Sequence, residues 1–90
     1  MGEQEQLEFS TYLMSLATSA LVQLGEAPDP ETGEAHPTDL AAARQTIDIL
    51  GLLQGKTDGN LTEAEERLLR NLVRDLRVRF VNANKRSPVA

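Results

Sequence analysis

Residues 62–81 read Thr-Glu-Ala-Glu-Glu-Arg-Leu-Leu-Arg-Asn-Leu-Val-Arg-Asp-Leu-Arg-Val-Arg-Phe-Val, and this stretch decides the fold. Thr62 followed by Glu65 is a capping box: a hydroxyl at the N-cap and a carboxylate three residues on can each satisfy a free backbone N–H. Leu69, Leu72, Leu76 and Phe80 then recur at helical spacing, with Leu68 and Val73 beside them, so one face is apolar and the rest is charged. The spacing predicts a helix to about Val81 that buries one stripe against other elements.

Upstream, Lys56-Thr57-Asp58-Gly59-Asn60 is a tight turn of residues that tolerate left-handed geometry. Before it, Leu40, Ala43, Ile47 and Leu50 share one helical face, and Ala42, Ile49 and Leu53 share the adjoining one. An apolar arc covering nearly half the circumference predicts a helix gripped from two sides. Thr38 reads as its N-cap, with Asp39 in the first turn, and Gly55 as its end. Further upstream, residues 26–37 (EAPDPETGEAHP) hold three prolines, one glycine and four acidic residues, and admit neither helix nor strand. A first helix over residues 9–24 carries Phe9, Leu13, Leu16, Ala17, Ala20 and Leu24 on its core face, with Tyr12 on one flank and Met14 and Leu21 on the other. Gly25 closes it.

The fold expected is therefore all-α: a three-helix bundle over residues 9–81, with a proline-rich loop between helices one and two. Residues 1–8 read as a disordered acidic N-terminus and 82–90 as a basic flexible tail. Ninety residues make one domain with a modest core, which oligomerisation or a partner could complete.

Composition excludes much chemistry. There is no cysteine, hence no disulfide framework, thiolate nucleophile or cysteine-based metal site, and there is a single histidine. His36 precedes a proline in the loop with no nucleophile or oxyanion site in view, so general-base catalysis is not expected. The loop carboxylates Asp29, Glu31 and Glu34, with Asp39 beyond them, follow no recognised order for calcium or magnesium. A superficial EF-hand opening at Asp58 fails, because its sixth position is Glu63 and its twelfth is Leu69. Asn60-Leu61-Thr62 is a formal glycosylation sequon without meaning in a cytoplasmic protein. No glycine-rich phosphate loop is present. The sequence predicts no enzyme, no metal and no cofactor.

The N-terminus is acidic where a signal peptide is basic, and Gln6 stands where myristoylation wants Ser or Thr. The uncharged run over residues 9–25 holds six serine, threonine or glutamine side chains and is too short for a span. A cytoplasmic protein without membrane contact is the expectation.

Two surface features point to binding. The formal charge is −5, yet residues 1–66 hold thirteen acidic and two basic side chains, whereas residues 67–90 hold seven basic and one acidic. Arg67, Arg70, Arg74 and Arg77 make one stripe on the third helix, and Arg79, Lys85 and Arg86 continue the charge. The residues from Arg67 to Arg79 include five arginines and no lysine, a choice that suits bidentate pairing with carboxylates or phosphates. Such a stripe reads first as solvated or paired within the chain, next as a protein-partner contact, and least as a nucleic-acid surface. The second feature is the outer side of the first helix: Thr11, Ser15, Thr18, Ser19 and Val22 carry no charge. Thr11, Ser15 and Ser19 recur every fourth residue, and the small strip suits either close packing inside the bundle or contact with a second copy or partner. The candidate partner-binding residues are thus Arg67, Arg70, Arg74, Arg77, Thr11, Ser15, Ser19 and Val22.

The block FSTYLMSLATSALVQLG at 9–25, then PDPETGE at 28–34, ARQTIDILGLLQGKTDGNLTEAEERLL at 43–69 and DLRVRF at 75–80 resemble the bacterial family catalogued as domain of unknown function 1844. The resemblance spans residues 9–81 and brings no catalytic residues with it. In length it extends to a small polarity regulator of gliding bacteria. That resemblance implies a role beside a response-regulator-type scaffold and a small Ras-like GTPase, promoting nucleotide exchange. Rival expectations are a self-associating structural subunit and an RNA-associated protein working through its basic third helix.

Overall fold

The computed structural model describes residues 8–86; of the N-terminus expected to be disordered, 1–7 lie outside them, and Glu8 is the extended residue that precedes the first helix. Helices α1 (Phe9–Gln23), α2 (Leu40–Lys56) and α3 (Glu63–Arg86) follow one another, with no strand among the described residues. Each helix packs against both others, so the chain is an all-α three-helix bundle. The core is Leu13, Ala17, Ala20 and Leu24 from the first segment, Ala43, Ile47 and Leu50 from α2, and Leu69, Val73, Leu76 and Ala83 from α3. The α1 and α2 members belong to the apolar lines that the helical spacing picks out; in α3 the buried line is Leu69, Val73, Leu76 and Ala83, with the expected Leu72 and Phe80 at its edge. Phe9, Leu16, Leu40, Leu53, Leu68, Leu72 and Phe80 pack around them half-buried. No described helix is long and apolar enough to cross a membrane.

α1 has no side-chain cap at Glu8, and its other end is closed by backbone alone. The Glu26 N–H donates to Leu21 O at 2.9 Å and the Gly25 N–H to Val22 O at 3.0 Å, the pairing of a Schellman motif. Gly25 has φ +80°, and a β-carbon there would stand 2.5 Å from Thr38 Oγ1. This close approach corrects the expected cap of α2. Thr38 lies against Gly25, and the cap is Asp39, whose Oδ1 accepts from the Ala42 N–H at 3.0 Å. Asp39 also donates its own N–H to Gln23 O at 2.7 Å, tying the start of α2 to the end of α1. α2 runs through Gly55 to Lys56 and stops at Thr57, whose N–H and hydroxyl both donate to Leu53 O.

The capping box of α3 forms as read. The Thr62 N–H donates to Glu65 Oε1 at 2.9 Å, and the Glu65 N–H donates to Thr62 Oγ1 at 3.1 Å. α3 then continues five residues beyond Val81, so residues 82–86 are helix and not a flexible tail; 87–90 lie outside the described residues. Two contacts hold the extension. Ala83 is buried in the core, and Arg86 reaches Glu26 at the end of α1, the carboxylate that also accepts from Arg79.

Candidate partner-binding surface

The connector between α1 and α2 places the first surface. Asp29 turns it back: its Oδ1 accepts from the Glu31 N–H at 2.8 Å, and its carbonyl accepts from Gly33 at 2.7 Å. The Asp29 N–H donates to Glu34 O at 2.9 Å, and Thr32 Oγ1 accepts from the Glu34 N–H at 3.2 Å, so the segment is a hydrogen-bonded turn. Asp29, Pro30, Glu31 and His36 face Thr18, Ser19, Val22 and Gln23 across a cleft of about 330 Å³. His36 Nδ1 lies 2.8 Å from Pro37 O, a geometry that makes this nitrogen the donor.

This arrangement corrects one candidate residue. Val22 is 8 % exposed and is unavailable to a partner, because the connector folds beside the last turns of α1. Thr11, Ser15, Thr18 and Ser19 remain exposed. Behind them the Gln23 amide meets the buried Thr46 hydroxyl at 2.7 Å. With its nitrogen turned inward, Gln23 donates to Thr46 Oγ1, Ser19 O and Ala42 O, while Thr46 donates to Ala42 O at 3.1 Å. The polar link therefore fastens α1 to α2 and leaves the hydroxyl strip outside.

The basic residues of α3 separate into two groups. Arg79 donates to Asp75 at 2.9 Å and to Glu26 at 2.7 Å, and Arg86 donates to Glu26 at 3.2 Å. Hydrogen bonds that it donates to Asp75 first, then to Glu26, raise the Arg79 pKa above its ordinary value. Two of the three cations at this end of the helix, Arg79 and Arg86, are thus paired within the chain, and Lys85 is exposed. Arg67, Arg70, Arg74 and Arg77 are exposed. Arg74 donates to Asn71 Oδ1 at 3.2 Å, and none of the four forms an ion pair with a carboxylate among the described residues.

Arg77 is the best placed of the four. Its Nη2 would stand 2.8 Å from a β-carbon at position 51, so it lies on the backbone of α2 where Gly51 leaves room. Stripe and strip are on different sides of the bundle, the first beside α2 and the second beside the connector. They do not form one surface. Next to Arg77, the residues Arg44, Ile47, Asp48, Phe80 and Val81 line a groove of about 300 Å³ between α2 and α3, which the sequence reading missed. Ile47 and Phe80 read there as core and Val81 as a helix end, and only the packing of the two helices brings them beside an arginine.

Among the described residues, no three His, Cys, Asp or Glu side chains converge as a metal site requires. The family described as "Domain of unknown function (DUF1844)" has a model that matches residues 6–82. No curated protein and no solved structure matches the chain.

Proposed function

The chain belongs to the DUF1844 family, and from that premise we propose that it is a non-enzymatic protein-binding module that engages its partner through the arginine stripe of α3. The observation that carries this reading is the division of charge along one helix. Arg79 and Arg86 are committed to Glu26, while Arg67, Arg70, Arg74 and Arg77 stand exposed and without a described carboxylate. Arginines in a row present planar, bidentate donors that match carboxylates on another protein, and they steer its approach.

In the sharper form drawn from the resemblance to a polarity regulator, the partners are a small Ras-like GTPase and a scaffold protein, and binding promotes nucleotide exchange. An exchange factor needs no chemistry of its own. It needs only a surface that binds the nucleotide-poor GTPase more tightly than the loaded one.

The test is native co-purification with identification of the partner, followed by calorimetry with Arg70, Arg74 and Arg77 replaced together by alanine. Loss of binding with unchanged helicity supports the stripe, and unchanged affinity removes it. For the sharper form, release of a fluorescent guanine nucleotide from the GTPase is timed with and without the chain and scaffold. An unaltered rate refutes exchange activity.

A second reading, self-association, is favoured by the exposed uncharged strip of Thr11, Ser15 and Ser19 on α1. Light scattering that finds a monomer at micromolar concentration overturns it.

A further inference from the structure

We propose that the groove between α2 and α3 receives an acidic amphipathic segment of a partner protein, with apolar side chains over Ile47, Phe80 and Val81 and carboxylates on Arg77 and its neighbours. The inference rests on the protein-binding reading above and names the chemistry of the partner. Three observations carry it.

First, the lining is apolar in the middle and cationic at its edges. Ile47 is buried, Phe80 is half-buried and Val81 is 49 % exposed, whereas the lining arginines Arg44 and Arg77 are exposed. Asp48 is the one carboxylate of the lining, and it stands 3.9 Å from Arg44. Second, Arg74 and Arg70 stand one and two turns before Arg77 on the same side of α3, so positive charge continues along the helix from the Arg77 end of the groove. An amphipathic helix laid in a groove presents apolar anchors at i, i+4 and i+7 and charge beside them, which suits this layout. Third, Arg77 is already laid on Gly51, so little side-chain freedom remains to be lost on pairing.

Other occupants fit less well. Two copies joined by this face about a twofold axis would set arginines against arginines. A phosphate backbone offers nothing to the apolar floor.

The test titrates the isotope-labelled full chain by NMR with a synthetic helix-forming peptide of roughly four turns, leucine on one face and glutamate on the other. A peptide with lysine for glutamate and single-stranded polyuridine serve as comparisons. The glutamate peptide should displace amide signals clustered at residues 44, 47, 48, 77, 80 and 81. Arg77→Glu and Val81→Glu should each weaken it at least about tenfold with circular dichroism unchanged, as removal of a buried anchor does. Both positions are exposed, so the fold tolerates the change.

Equal binding of the lysine peptide overturns the proposal, as do displacements elsewhere or nowhere. A stronger groove response to polyuridine identifies a phosphate site instead. Displacements that follow chain concentration without peptide identify a second copy, and either result also overturns it. If these arms fail while the triple arginine variant still loses its native partner, the stripe stands and the groove falls.

Discussion

Arg79 of α3 donates to Glu26 at the end of α1, 2.7 Å away across fifty-three positions of sequence. The same carboxylate accepts from Arg86 two turns later. Glu26 therefore spans the last turns of α3 and belongs to the Schellman closure of α1 at once. Charge that reads as an excess at the chain's basic end is in part a fastening.

Replacing Glu26 with glutamine should leave the bundle folded and loosen one end. Hydrogen exchange should quicken at the amides of residues 83–86 and remain unchanged at Leu13, Leu50 and Leu69. An exposed pair contributes little to global stability, so the unfolding midpoint should move little. Uniform loss of protection would show that Glu26 supports the whole fold.

The core sets a different scale. Leu50 is fully buried, and Leu50→Ala should cost about 2–5 kcal/mol in urea unfolding. For a small bundle with stability of roughly 5–10 kcal/mol, that is a large share of the total. Leu52 on the outer face of α2 is 60 % exposed, and Leu52→Ala should change stability by less than about 0.5 kcal/mol. Equal losses would mean that the outer face of α2 is covered in solution.

The three helices and most core residues are legible in the sequence because period and caps agree: Thr62 and Glu65 announce α3, and Gly25 ends α1. Residues 82–86 read as a tail because their composition is basic and polar. Yet Ala83 continues the line of Leu76 and Phe80 at helical spacing, and the first helix-breaking residue is Pro88. The arginine stripe was legible, since it depends on one helix alone. Which arginines are neutralised was not, because Glu26 meets Arg79 only in the folded bundle. The burial of Val22 is hidden from the sequence for the same reason: helical periodicity puts it outward, and only the path of the connector covers it. The groove needs side chains from two helices whose register no local pattern states.

Thr46 tests the polar link between α1 and α2. Its hydroxyl is buried and is shared by Gln23 and the Ala42 carbonyl. Thr46→Val keeps the shape and removes both bonds, leaving the Gln23 amide with a weaker set of partners. The change should cost about 1–3 kcal/mol in urea unfolding. Gln23→Leu alongside it should recover part of that loss, because an apolar pair leaves no donor or acceptor stranded. A double variant no better than the single would show that the amide is satisfied by Ser19 and Ala42 alone.

Gly51→Ala separates stability from binding at one position. In a helix interior alanine is favoured over glycine by up to about 1 kcal/mol, so the change should leave stability equal or slightly raised in urea unfolding. The new β-carbon would stand 2.8 Å from Arg77 Nη2, and the guanidinium, the free end of a flexible side chain, must move off α2. No backbone has to yield. The acidic peptide should then bind more weakly by calorimetry although the protein is no less stable, because Arg77 must be ordered anew when the peptide docks. A Gly51→Ala variant that binds as tightly as the parent would show that the resting place of Arg77 on α2 has no part in recognition.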